Sequence, residues 1–181
     1  MSPPRVLYGV TNFEWLQNRE AVDVLINRVW PKIVSRLKEV RLWIVGRKIP
    51  RDLIALAKTR QDIEITESIS DARDAYLASS VMVTPIMSGG GTRLKVLEAM
   101  AAGLPVVSTS TGVAGLGLTD GKEALIRDNL DDLCQQTLKL LNNAKKARNI
   151  GMAGQKFVKL HFDWQVIVGL HEPIYRKAIN G

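Results

Sequence analysis

The sequence predicts a single Rossmann-like, doubly wound α/β domain, a parallel sheet flanked by helices, and three observations predict it. Short apolar runs alternate with stretches of helical period along the whole chain. Most of those runs are apolar at successive positions rather than at every second one, which is the pattern of strands buried on both faces. At 181 residues and 46% hydrophobic, the chain suits one core-bearing domain, because a domain of this size hides about 70% of its unfolded surface.

Taken in order, residues 1–4 read as a leader, and 5–181 as the domain. Val6 to Val10 is the first apolar run. A long periodic segment follows from Asn18 to Lys38, with Pro31 as a kink or break because it has no N–H to give and its ring clashes with the preceding turn. Leu42 to Val45 forms the second strand, stopped at Gly46. A short helix near Asp52 to Lys58, a strand at Ile63 to Thr66 and a helix from Asp71 to Ala78 come next, the last started by Ser70. Val81 to Val83 precedes a glycine loop and a helix, and Pro105 to Val107 follows them. A final strand at Ala124 to Ile126 leads to helices near 130–142, 144–159 and 163–178.

The stretch Ser88-Gly89-Gly90-Gly91-Thr92-Arg93-Leu94-Lys95-Val96-Leu97-Glu98 carries the chemistry. Consecutive glycines permit positive φ and close approach of a ligand, and a helix starting at Gly91 would offer unpaired amides and the positive end of its dipole to an anion. At 100° per residue, Leu94, Leu97 and Ala101 give that helix its core face. Gly91, Lys95, Glu98 and Ala102 fall on a neighbouring stripe, which suits a phosphate at the helix start and a sugar diol at the carboxylate. Arg93 points away from the stripe unless the helix begins after it. Neither a P-loop G-x-x-x-x-G-K-[ST] nor a dinucleotide G-x-G-x-x-G is present. In a parallel sheet the ligand sits outside the carboxyl ends of the strands. The loops to search are therefore 11–19, 46–48, 67–69, 88–92 and 108–113, where Arg19 and Arg47 are within reach of a phosphate.

Composition narrows the classes. Lys and Arg exceed Asp and Glu by 25 to 18, an excess that favours phosphates without choosing among nucleotides, nucleic acid and anionic lipid. The basic residues are scattered and no nucleic-acid motif appears, so a dedicated nucleic-acid module is not expected. The single Cys134 rules out a disulfide framework and reads as a buried thiol. His161 and His171 are ten apart with no metal-ligand spacing and read as helix-surface residues, so no metal is expected. No apolar run is long enough to span a membrane and no signal sequence is visible, which suggests a cytoplasmic protein and leaves peripheral association with an anionic membrane open.

The run from Gly89 to Thr109 closely resembles the donor-binding segment of retaining glycosyltransferases of family 4, the "glycosyl transferases group 1" domain. The resemblance extends through Leu42 to Gly46 and Ser79 to Pro85, then Gly112 to Leu116, Gly121 to Ile126 and Phe162-Asp163-Trp164, and so covers nearly the whole chain. It implies one half of the two-domain GT-B architecture, with a nucleoside diphosphate sugar (UDP- or GDP-linked) as donor substrate, no cofactor and no metal. In the family, the second glutamate of an E-x7-E pair binds the ribose hydroxyls, and Glu98 matches it. The first contacts the sugar, and here that position is Gly90. Gly91 and Thr92 match diphosphate and sugar contacts, Arg19 approximates a phosphate-binding lysine, and Ser68 and Ile69 fall where the base is recognised. Catalytic residues and the acceptor site would lie on a missing N-terminal domain, toward which helix 163–178 would cross, with Trp164, Ile167 and Tyr175 as apolar contacts. The donor-binding half alone would then be inactive or nearly so. A nucleotide-sugar 2-epimerase-like domain and a non-catalytic nucleotide- or partner-binding module remain alternatives.

Overall fold

In the computed structural model, which describes residues 3–179, six parallel strands form one sheet in the order β3-β2-β1-β4-β5-β6. β1 is Arg5–Asn12, β2 Arg41–Arg47, β3 Ile63–Thr66, β4 Val81–Thr84, β5 Val106–Ser108 and β6 Leu125–Ile126. The chain runs outward from β1 to β3, then returns to the other side of β1 at β4, pairing Val6 with Val81 and Leu7 with Met82. Strand order therefore reverses between β1 and β4, where such sheets open a crevice at their carboxyl ends.

Both faces are covered, as continuously apolar strands require. Val6, Leu42, Ile44, Val81 and Val83 point into one core, packed under α1 (Leu16–Val24), the following helical turns and α6 (Leu130–Leu141). Leu7, Trp43, Val45, Met82 and Val106 point into the other, under α4 (Ala72–Leu77), α5 (Leu94–Ala101) and the C-terminal half of α7 (Ala144–His161). Neighbouring strand residues belong to opposite cores because side chains alternate across a strand.

β1 breaks that alternation once. Leu7 pairs with Trp43 but Val10 with Val45, so one extra residue bulges at Tyr8-Gly9. Gly9 has φ of 124°, and a Cβ there would lie 3.0 Å from Met82 Cε and 3.1 Å from Lys95 Cδ. The absent side chain at Gly9 leaves room for the stem of a buried lysine.

The expected break at Pro31 is present. A π-helical turn at Leu25–Val29, closed by Trp30 N–H donating to Leu25 O, separates α1 from α2 (Trp30–Val34), which has Pro31 in its first turn. α3 is Arg51–Thr59 and α8 is Trp164–Ile179.

Several expectations are corrected. The cap of α4 is Asp71, which accepts from Arg73 N, in place of Ser70. Helix α5 starts at Leu94 rather than at Gly91. Its core face is Val96, Leu97, Ala99 and Met100, so Leu97 is buried as expected, whereas Leu94 is 63% exposed and Ala101 is also exposed. Packing on Leu7, Met82 and Val106 sets the rotation of a helix too short to choose its own face. Of the leader, Met1 and Ser2 lie outside the described residues, while Pro4 O accepts from Arg41 N and so extends the sheet. Cys134 is buried in α6, and burial raises its thiol pKa. Trp164 and Tyr175 are exposed and Ile167 is half-buried. His161 is exposed and packs on Phe157 at 4.5 Å, while the side chain of His171 lies outside the described residues. Among the described residues, no helix is long and apolar enough to cross a membrane.

Candidate functional site

A cleft of about 800 Å³ opens at the carboxyl ends of β1, β2 and β3, facing the start of α5, within the size range of small-molecule sites. Four of the five loops singled out above line it: Thr11 to Asn18, Gly46 and Arg47, Glu67 to Ile69, and Gly90 with Thr92. Arg93, Lys95 and Glu98 complete the wall from α5. Of the sequence-predicted residues, Gly90, Thr92, Lys95, Glu98, Arg47, Ser68 and Ile69 therefore converge. Two do not. Arg19 sits on the exposed side of α1 with Nε donating to Phe13 O, off the cleft wall, and Gly91 is exposed beside the wall with φ of 85°.

Lys95 is the most constrained of the set. Its Nζ donates to Asn18 Oδ1 at 2.9 Å and to Tyr8 Oη at 3.3 Å, and lies 4.4 Å from the centre of the Tyr8 ring. Asn18 is held by its Nδ2 donating to Asn12 O at 2.8 Å, and Tyr8 Oη donates to Asn18 O at 2.9 Å. All of these partners are neutral. Burial, with the Arg93 charge second, pushes the Lys95 pKa down to about 7, and burial keeps the Tyr8 hydroxyl protonated well above its usual range.

Arg93 immediately precedes α5 and is 7% exposed, so the proviso that a later helix start would bring it to the site is met. Its guanidinium donates to Gly89 O at 2.7 Å, Gly90 O at 3.3 Å and Thr111 O at 3.5 Å, and its buried Nε donates to nothing. Neither Arg93 nor Lys95 forms an ion pair among the described residues. Two buried cations thus share one wall, neither paired with a carboxylate, an arrangement that costs desolvation and invites an anion.

Glu98 stands one helical turn farther along α5, exposed, with Oε2 accepting from Tyr76 Oη at 2.7 Å. Burial and the Glu98 charge raise the Tyr76 pKa well above its usual range, so its hydroxyl stays a donor and fixes the carboxylate. Glu98 is not turned into the apolar interior, and the mouth of α5 is open to the cleft. A carboxylate held on one oxygen can accept a diol, and amides beside a glycine loop can donate to phosphoryl oxygens.

Sequence reasoning missed Tyr8, Asn18 and Tyr76, and it ranked Arg93 below Lys95. Tyr8 and Asn18 reach Lys95 across 87 and 77 positions, and Tyr76 meets Glu98 across 22, so no local pattern pairs them. The one available signal was that Arg93 would face the site if the helix began at Leu94.

The chain is similar to several known proteins. An uncharacterized glycosyltransferase of Methanocaldococcus jannaschii is 34% identical over 152 residues, covering 83% of this chain and 42% of its own. A Staphylococcus aureus TarM mutant, crystallised in complex with fondaparinux, α-GlcNAc-glycerol and UDP, superposes with a TM-score of 0.78 at 16% identity over 93% of this chain and 34% of its own. The C-terminal domain of the glycosyl transferase group 1 family protein LpcC from Francisella tularensis gives 0.68 at 18% identity, over 90% of this chain and 87% of its own. The chain spans about two fifths of the length of the curated relatives it matches. The family model described as "Glycosyl transferases group 1" matches residues 4–143, three quarters of the sequence, and the chain belongs to that family of glycosyltransferases, its fold being one α/β half of the GT-B architecture.

Proposed function

We propose that this domain binds the donor, a nucleoside diphosphate sugar, for a glycosyltransferase that transfers the sugar with retention of configuration. The observation that carries the reading is the pair of buried, carboxylate-free cations at the mouth of α5 with the Tyr76-fixed Glu98 one turn beyond. Charge of that sign on the cleft wall suits a diphosphate, and a carboxylate at that distance suits the ribose diol. Arg47 lines the same cleft from the end of β2. Gly90 and Thr92 approach the phosphates, and Ser68 and Ile69, which line the same cleft, contact the base. The cations take the role that a metal fills in other phosphoryl-leaving reactions, offsetting the charge that develops on the departing diphosphate. Arg19 has no part in this reading.

The acceptor and the remaining catalytic groups belong to a second, N-terminal domain across the cleft, so the chain alone binds donor and transfers little or nothing. The UDP in the TarM complex makes UDP the first nucleotide to try and GDP the second. The protein works in the cytoplasm, and any contact with anionic membrane is peripheral.

Calorimetric titration of the 181-residue chain with UDP, GDP and ADP tests the binding reading. Saturable binding of at least one, lost in Glu98→Ala, is the expected result. Indifference to all three favours a non-catalytic module. Joining an upstream Rossmann-like domain and supplying donor then separates a transferase, which needs an acceptor, from an epimerase, which interconverts free donor.

A further inference from the structure

Arg93 is one of the two buried cations on which the reading above rests, it is among the most buried charges of the domain, and its Nε still donates to nothing. Two of its bonds go to successive carbonyls of the glycine loop, Gly89 O and Gly90 O, and a third to Thr111 O in the loop after β5. In a planar trans peptide the carbonyl and the following amide point opposite ways. Holding Gly89 O and Gly90 O against the guanidinium therefore turns the amides of Gly90 and Gly91 away from it, and among the described residues those amides donate to no protein acceptor. Gly89 and Gly91 both take positive φ, 92° and 85°, so a loop of this shape is not one that an ordinary sequence adopts unaided. Nothing lies within 4 Å of where a Cβ would sit on Gly90 or Gly91, which leaves the outward side of the loop free for a ligand. The buried Nε has no acceptor and the side chain no counter-charge, a cost that loop architecture alone does not require.

We propose that Arg93 is a positioning residue that holds the Gly89–Thr92 loop in the shape that presents its amides to the donor's diphosphate and, with Lys95, leaves that subsite positively charged. The inference rests on the donor-binding reading above and adds to it a division of labour. Glu98 and the 68–69 loop hold the nucleoside, whereas Arg93 acts on the phosphates through the loop. Lysine cannot replace it, because a single ammonium cannot span three carbonyls with a planar fork of donors.

The test compares wild type, Arg93→Lys and Arg93→Met in two measurements. In the unliganded proteins, amide hydrogen exchange over residues 88–94 is expected to accelerate in both variants while the strands keep their protection. Calorimetry with uridine and UDP, and with guanosine and GDP, is expected to show nucleoside affinity within about twofold of wild type and diphosphate affinity reduced at least about tenfold in both variants, the loss of charge-assisted hydrogen bonds. Exchange unchanged in Arg93→Lys, or diphosphate affinity unchanged in it, overturns the positioning role. Equal losses for nucleoside and diphosphate also overturn it, as the mark of general destabilisation. A wild type that binds neither nucleoside nor diphosphate defeats the donor-binding reading itself, and this inference with it. Should Arg93→Met fail to fold, the Arg93→Lys arm decides alone.

Discussion

Two groups of cations in this domain are handled in opposite ways. At the edge of the sheet remote from the cleft, Arg60 Nε donates to Asp62 Oδ1 at 3.0 Å, its Nη2 pairs with Asp62 Oδ2 at 2.5 Å, and Trp30 Nε1 donates to that same oxygen at 2.7 Å. Arg5 pairs with Glu64 at 3.2 Å and stacks over Trp43. These side chains are about a third exposed and still have carboxylates. At the mouth of α5, Arg93 and Lys95 are 7% and 8% exposed and have none. Water screens the first group, so its carboxylates add little, while the second group would gain most from a counter-charge and has only neutral partners. A fold that satisfies its half-exposed cations and leaves its buried ones uncompensated is arranged for an anion that arrives from outside.

The contrast can be broken most sharply at Lys95. Replacing it with Met should weaken UDP or GDP binding by about tenfold to a hundredfold, the worth of one hydrogen bond from a charged donor. The unliganded protein at pH 6 should meanwhile melt higher, because it no longer carries a buried charge. The pH dependence follows the same logic. Lys95 titrates near 7 in the fold against an ordinary 10.5. Between those values the unfolded chain binds the extra proton, so the stability of wild type rises with pH from about 7 toward 10.5 and is unaffected by this group below 7. The difference in thermal midpoint between wild type and Lys95→Met should shrink as pH rises through that window.

Glu98→Ala comes next. Loss of the diol acceptor should cost about tenfold in nucleoside affinity with little change in stability, since the side chain is exposed. Tyr76→Phe should cost only a few-fold, because it frees the carboxylate without removing it. The smallest effect on the site is expected from Asp62→Asn. There the Arg60 hydrogen bond holds the carboxyl below its usual range, so its stability contribution is present at neutral pH and fades as pH falls through the depressed value. Thermal or denaturant unfolding should show a loss of about 1 kcal/mol, and titration should show unchanged nucleotide binding.

Most of the fold was legible because it is written in local pattern. Runs such as Leu42 to Val45 and Val81 to Val83 announce strands buried on both faces, and Pro31 announces its break, by rules that act within a few residues. The position of Glu98 was legible through the Gly89 to Thr109 resemblance. The rotation of α5 was not, because an eight-residue helix takes its facing from Leu7, Met82 and Val106 rather than from its own period. That shift moved the helix start to Leu94, removed Gly91 from the stripe and brought Arg93 to the wall. Asn18 and Tyr8 were invisible as partners of Lys95 because a bulge at Gly9, a one-residue slip in register, makes their meeting possible. Arg19 looked like a phosphate ligand by its loop and by the family resemblance, and its bond to Phe13 O, close by in sequence, keeps it off the wall.

The most direct test of the uncompensated charge is a proton count on binding. Titrating the chain with UDP and with GDP at pH 8, in two buffers of different ionisation enthalpy, measures protons taken up as the ligand seats. A diphosphate that supplies the missing counter-charge should restore the proton to Lys95, so at least one nucleotide should bind with net proton uptake that vanishes in Lys95→Met. Binding with no proton uptake, or uptake unchanged in Lys95→Met, would contradict the claim that the buried pair at the mouth of α5 awaits the diphosphate.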